Sequence, residues 1–264
     1  MPRVDEARKG YWKKDYDKVA KAHEKKRIEE EPWHDVARGR YIRDIIYGAS
    51  DGIVTTFAVV AGAAGASLSS AIILILGFAN LLADGFSMAA GNYLGIKSEI
   101  EYFQKERERE SWEIEHIPDA EKEEIRQIFR KKGLAAHLAD KLAEIISSDK
   151  HVWVDFMMTE ELGIILSENL SPWKNALATF FAFLTAGFMP LLFFIFSYII
   201  SLANPFILSA ITTMLSLFVV GALRTLITGR NWIKSGFEML IVGGAAATVA
   251  YLAGFLLRAI VGYA

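Results

Sequence analysis

The sequence predicts an all-α membrane protein: five transmembrane helices, with a helical cytoplasmic insert between spans 2 and 3. Three observations carry this. Hydrophobic residues make up 53 % of the 264, and they are clumped. Five runs approach or exceed the roughly 18 apolar residues that a bilayer-crossing helix needs: Ile45–Ala66, Ala71–Ala90, Asn175–Ser201, Phe206–Ile227 and Phe237–Leu257. Residues 1–41 and 97–170 are, by contrast, charged and aqueous in character. The chain therefore divides into an arm (1–41), spans 1 and 2 (42–96), the insert (97–170) and spans 3 to 5 (171–264). The net charge of −2 gives no pointer to nucleic acid, and none is expected as a partner. The absence of Cys excludes disulfides, iron–sulfur clusters and thiolate sites. Any metal must then use carboxylate, His or Met ligands. No signal peptide is expected, since the arm has no apolar core.

The arm alternates Lys, Arg and Glu. A charged, weakly amphipathic helix is expected between Asp15 and Glu31, broken by Pro32. Its excess of Lys and Arg, with Arg38, Arg40 and Arg43 at the boundary, puts it on the cytoplasmic side. A solvated arm is the plain reading; an extension of a metal site through His23, Glu24 and Glu29–Glu31 is the other.

Span 1 holds Ser50-Asp51-Gly52, then the small-residue run Ala61–Ala66, which lets helices approach closely. The short uncharged loop Ser67–Ser70 makes spans 1 and 2 an antiparallel hairpin that turns outside. Span 2, within Leu76–Lys97, carries Asn80, Asp84 and Met88. An acid inside a span costs on the order of 3 kcal/mol and by default marks an ion path. At 1.5 Å per residue, Asp51 lies roughly 12 Å beyond Arg43 and Met88 roughly 13 Å before Lys97, so the two share a level. Asp84 lies about 6 Å deeper on the face of Met88. A cation path is the resulting hypothesis. Against it stand ordinary packing for Met88, a structural hydrogen bond for Asp51, and a local bond from Asn80 to Asp84.

The insert is expected to hold four helices: Ile96–His116, Pro118–Lys132 with Gly133 as C-cap, Leu134–Ser147, and one from about Lys150 toward the membrane. The first carries Glu106, Glu110 and Glu113 on one face, and the second carries Glu121 and Glu124. The fourth carries Met157, Met158 and Glu161. Like charges at this spacing destabilise a bare helix, and a cation between them would offset that. A solvated acidic face is the competing reading, supported by the interleaved Lys105, Arg107 and Arg109. Thioethers beside carboxylates suit a transition metal better than Ca²⁺ or Mg²⁺.

Ser171-Pro172 opens span 3 as N-cap and first-turn proline, and Pro190 should kink it. Asn204-Pro205 turns outside. Span 4 should end at Arg224, with the link Thr225–Ser235, holding Arg230 and Lys234, inside. Span 5 should start near Glu238; its Gly243–Ala247 run suits close packing against another helix or subunit. Charge bias and span count together put the N-terminus inside and the C-terminus outside. The odd number of spans excludes two complete inverted halves in one chain.

From about Tyr41 to its end, the chain resembles the vacuolar iron transporter family. The resemblance rests on Ser50-Asp51-Gly52, Ser87-Met88 with Gly91-Asn92-Tyr93-Leu94, Glu110 and Glu113 repeated as Glu121 and Glu124, and Met157-Met158 with Glu161. It implies a homodimer of five-span subunits that exports Fe²⁺ from the cytosol in exchange for protons, with Mn²⁺, Co²⁺ or Zn²⁺ as further cargo. It implies that Asp51 and Met88 lie on the ion path at a dimer interface. It also implies that Glu110, Glu113, Glu121, Glu124, Met157 and Glu161 bind metal at the cytoplasmic mouth. Better-known members carry a Glu in span 2 where this chain has Asn80, and Asp84, one turn on, is expected to replace its charge. No enzymatic activity is expected. No organelle address is visible, and a prokaryotic cell membrane is favoured. The rival reading is a membrane-anchored iron-binding or ferroxidase-like protein. Against that reading, the Glu-x-x-His pattern of di-iron bundles is matched only once within the insert, by Glu113 and His116. A proton-independent channel is a third reading.

Overall fold

The computed structural model describes residues 3–25, 37–164, 170–200 and 202–262, and every regular element among them is helical. The chain forms two compact units, Met1–Arg40 and Tyr41–Ala264.

In the first unit, α1 (Arg3–Lys13) folds back on α2 (Tyr16–Ala22). The turn between them is set by Lys14, at φ 55°, and by Asp15, whose carboxylate accepts from the Lys18 N–H at 3.0 Å. The helices pack closely where Gly10 meets Val19; a Cβ on Gly10 would lie 2.8 Å from the Val19 side chain. The arm is thus a helical hairpin in its first part, and α2 ends at Ala22, short of the expected Glu31. At that end the chain leaves the helix at His23, whose Nδ1 lies 2.8 Å from the Val19 carbonyl oxygen. Glu29–Glu31 and Pro32 lie outside the described residues.

In the second unit, five helical segments are long and apolar enough to cross a membrane: Tyr41–Gly65, Ser70–His116, Pro172–Phe196, Pro205–Leu223 and Trp232–Ile260. The first belongs to α3 (Ala37–Gly65). The second, α4 (Ser70–His116), runs 47 residues without a break, about 70 Å at the helical rise. Expected as a span followed by a separate insert helix, it is one rod, because nothing in it removes an N–H: it contains no Pro. The insert continues with α5 (Pro118–Lys131), α6 (Ala136–Ile146) and α7 (Lys150–Glu160). Gly133, just past α5, takes φ 92°, which an L side chain resists.

Span 3 is α8 (Pro172–Gly187), a 3₁₀ turn (Met189–Leu191) and α9 (Leu192–Phe196). The interruption sits at Pro190, whose carbonyl accepts from Ser209 Oγ at 2.5 Å. Ser171 has N-cap geometry but its side chain makes no capping bond. Span 4 is α10 (Pro205–Leu223), capped by Asn204, followed by the single turn α11 (Thr225–Thr228). Span 5, α12 (Trp232–Val261), starts nearly two turns before the expected Glu238, because Asn231 accepts from the N–H groups of Ile233 and Lys234.

Span 1 touches span 3 on one side and span 5 on the other, and both contacts are backbone to backbone. A Cβ on Gly52 would lie 2.4 Å from the Phe183 carbonyl oxygen, and one on Gly254 would lie 1.9 Å from that of Gly62. Only Gly fits such crossings. Around them Phe57, Val60, Ile73, Leu81, Phe183, Leu191 and Phe194 form the buried core of the spans. Large apolar residues such as Ile75, Phe86 and Ile241 face outward, as lipid contact requires.

Candidate functional site

Span 1 and span 2 enclose a polar groove of about 730 Å³. From α3 it is lined by Arg43, Asp44, Tyr47, Asp51 and Thr55; from α4 by Asp84, Ser87, Met88, Gly91 and Asn92; from α8 by Thr179. Asp51, Asp84 and Met88 therefore share one wall-to-wall space, and each is half-buried. Thr55 Oγ1 donates back to the Asp51 carbonyl at 2.9 Å, which leaves the Asp51 carboxylate unengaged by that hydroxyl. Asn80 does not line the groove; its Nδ2 lies 3.4 Å from Asp84 Oδ2, so it orients that carboxylate from behind.

Asp44 is the acid that sequence reasoning passed over. It is 4 % exposed, closer to full burial than either expected acid. Its Oδ2 accepts from Asn175 Nδ2 at 2.6 Å and its Oδ1 from Arg43 Nη2 at 3.2 Å. Its signal was spacing: seven residues before Asp51 is two turns, hence the same face of span 1. It stands beside Arg43, one residue before the apolar run Ile45–Ala66. Span 3 supports this wall: Asn92 Nδ2 donates to Thr179 Oγ1 at 2.7 Å, and Thr179 Oγ1 donates to the Asn175 carbonyl at 3.0 Å.

The second constellation lies about 33 Å along α4 from Met88. Glu110 of α4, Glu121 of α5 and Glu161, just past α7, converge: one carboxylate oxygen from each lies within 4.8 Å of the others. Glu110 is fully buried and Glu121 is 3 % exposed, and Oε2 of each has no hydrogen-bond partner within the protein. Glu161 closes the cluster at its solvent-facing rim. Burial, and then the neighbouring Glu124 and Glu110, push the Glu121 carboxyl up to about 7. Burial, with Glu110 and Glu124, pushes Glu161 up to about 7 as well. Glu110 is raised by burial against the opposing pull of Arg109. Buried carboxylates with free lone pairs and raised proton affinity are acceptors arranged for a cation.

The other expected ligands are placed differently. Arg109 donates to Glu106 at 2.9 Å, Glu110 at 2.7 Å and Glu113 at 2.6 Å. Glu106 and Glu113 are thus held by an internal cation, and the hydrogen bond that Arg109 donates to Glu106 leads in raising the Arg109 pKa further. Glu124 is exposed, beside Glu161 and Glu121. Met157 and Met158 are buried in the apolar core of the insert with Ile114, Ile125, Trp153 and Val154. Of the Glu-rich face expected on one helix, only Glu110 enters the three-helix cluster.

A polytopic helical protein with acids lining a groove between its spans, and unpartnered buried carboxylates converging beyond them, has the build of a membrane protein that handles cations. Comparison with known proteins narrows this. The profile of the VIT family matches residues 42–255, and the chain belongs to that family. It is 36 % identical over 236 residues to the vacuolar iron transporter of Toxoplasma gondii, covering 87 % of this chain and 78 % of that protein. The similarity to the vacuolar iron transporter of Plasmodium berghei is 31 % over 268 residues, 97 % of each chain, and so reaches into the N-terminal arm. To vacuolar iron transporter 1 of Arabidopsis thaliana it is 33 % over 213 residues, 81 % of this chain and 84 % of that one.

Proposed function

We propose that this chain carries Fe²⁺ out of the cytosol across a membrane in exchange for protons, with Mn²⁺, Co²⁺ or Zn²⁺ as further cargo. The observation that carries the reading is the groove that holds Asp51, Asp84 and Met88 together within the spans. The names of the relatives supply iron. Glu110, Glu121 and Glu161 collect the ion at the cytoplasmic side, with Glu124 at the rim and Glu106 and Glu113 released to it when Arg109 swings away. Asp51 and Met88 then take the partly dehydrated ion. The thioether favours Fe²⁺ over Mg²⁺ and Ca²⁺. A proton entering from outside protonates Asp51 or Asp84 and releases the cargo, because only the ionised carboxylate binds metal. Asp44, in the same groove and braced by Asn175, offers a further carboxylate on this route. The working unit is a homodimer, and the setting is a prokaryotic cell membrane, whereas the relatives' names point to vacuoles.

The test is Fe²⁺ flux into proteoliposomes with and without a pH gradient. Wild type is compared with Asp51→Ala and with a combined Glu→Ala variant at 110, 113, 121 and 124. Flux that needs the gradient and Asp51, and is only weakened by loss of the insert's carboxylates, is expected. Unchanged flux in Asp51→Ala overturns the route; metal binding without flux under any gradient leaves an anchored metal-binding protein instead.

A further inference from the structure

The N-terminal hairpin takes no part in either constellation described above. Its turn reads Tyr11-Trp12-Lys13-Lys14-Asp15-Tyr16. The turn is fixed locally, by the positive φ of Lys14 and the Asp15 cap. That geometry sends three aromatic side chains outward at one end of the hairpin: Tyr11 is 62 % exposed, Trp12 58 % and Tyr16 82 %. The hairpin's own packing lies elsewhere, at Gly10 against Val19 and at buried Ala22. The rings therefore add little to the stability of the hairpin. Lysines accompany them: Lys13 and Lys14 are exposed, and Lys14 Nζ sits 4.2 Å from the centre of the Tyr11 ring.

Trp and Tyr with Lys at the end of a helical element is the composition that settles at a membrane–water interface, rings at headgroup depth and ammonium groups among phosphates. The charge agrees. Residues 3–25 carry eight Lys and Arg against five Asp and Glu, a net +3 on a chain whose total is −2. Reach agrees as well: residues 26–36 join the hairpin to α3, and a chain of that length spans at most about 36–40 Å.

We propose that the Tyr11–Tyr16 tip is a docking surface for the headgroup layer of an anionic leaflet on the N-terminal side of the membrane. The rings supply depth and Lys13 and Lys14 supply lipid selectivity. A lysine near an anionic surface shifts such an equilibrium about fivefold, so the two together give on the order of 30-fold between anionic and neutral lipid.

The natural absence of Cys allows a single probe on the full chain. Asp17→Cys, exposed and next to the tip, is labelled with an environment-sensitive fluorophore. The protein is placed in nanodiscs of phosphatidylcholine alone, or of equal parts phosphatidylcholine and phosphatidylglycerol, each with and without lipid brominated near the headgroup. The same label goes onto a chain that also carries Tyr11→Ser, Trp12→Ser and Tyr16→Ser. These positions are exposed, so the hairpin keeps its packing. Quenching by brominated lipid that is strong in the anionic discs, weaker in neutral ones and lost in the triple variant is expected. Quenching that is absent in anionic discs, or equal with and without the three rings, overturns the proposal. A probe shielded from aqueous iodide yet untouched by brominated lipid places the tip on protein and overturns it too.

Discussion

Glu121→Gln separates the two roles of the acid cluster, because it should stabilise the metal-free protein and weaken its response to metal. The Glu121 carboxyl is raised from its ordinary 4.5 to about 7 in the fold. A group whose folded pKa is raised contributes stability fully present below the unfolded value. That contribution is lost as pH rises through the folded one. The window here runs from about 4.5 to about 7, and above it the ionised carboxylate costs up to about 3 kcal/mol. Relaxation around the charge reduces this, so Gln, which mimics the neutral acid, should gain about 1–3 kcal/mol at pH 8 and little at pH 5. Metal acts oppositely. A divalent ion at a hundred times its Kd stabilises the folded state by about 2.7 kcal/mol, and loss of a buried ligand lowers that at fixed concentration. The assay is thermal unfolding of detergent-purified protein at pH 8 and pH 5, with and without Mn²⁺ or Co²⁺ as air-stable probes. A higher Tm for metal-free Glu121→Gln at pH 8, with a smaller metal-induced rise, is the expected pair. A lower metal-free Tm, or an undiminished metal-induced rise, refutes the reasoning.

Arg109→Gln removes the cation from three carboxylates; metal-free stability should fall by about 1 kcal/mol, discounted for the half-exposed guanidinium, while divalent-ion affinity measured by calorimetry rises. Asn175→Ala leaves the Asp44 carboxylate short of a buried donor, for a loss of about 1–3 kcal/mol, read as a lower Tm with reduced flux. Met88→Leu keeps the volume and removes the thioether, so Fe²⁺ flux should fall more than Mn²⁺ flux in the same liposomes. Gly52→Ala drives a methyl into the Phe183 carbonyl and should lower stability by about 1–3 kcal/mol. Gly91→Ala, with nothing within 4 Å of its added carbon, should be neutral or stabilising by about 0.5–1 kcal/mol. Monodispersity on size exclusion after heating distinguishes the two.

Local patterns were legible in the sequence in proportion to how local their physics is. Apolar runs long enough for a bilayer mark five spans, and the described helices place a span at each. Pro118 and Gly133 bound α5 as their backbone chemistry requires. Boundaries governed by a side-chain cap were read less well. Span 5 begins at Trp232 because Asn231 caps it, and apolarity alone pointed further along the chain. Composition divides α4 where apolar residues give way to charged ones, but the helix runs unbroken from Ser70 to His116, because a helix ladder is indifferent to that change.

What the sequence determined by itself is the class of the molecule: water and lipid sort residues by polarity, and that sorting is written along the chain. It also set Asp51, Asp84 and Met88 at depths where they share one groove, since rise per residue is a constant of the helix. Which carboxylates meet was decided only by tertiary structure. Glu106, Glu110 and Glu113 share one face on a helical wheel, yet Arg109 holds the first and third, while Glu110, which it also bonds, meets Glu121 and Glu161 and keeps its Oε2 unpartnered. Asp44 likewise gains its place in the groove through Asn175, 131 residues away, which donates to its carboxylate. Convergence of three helices depends on how their apolar faces pack, and no spacing within one helix encodes that.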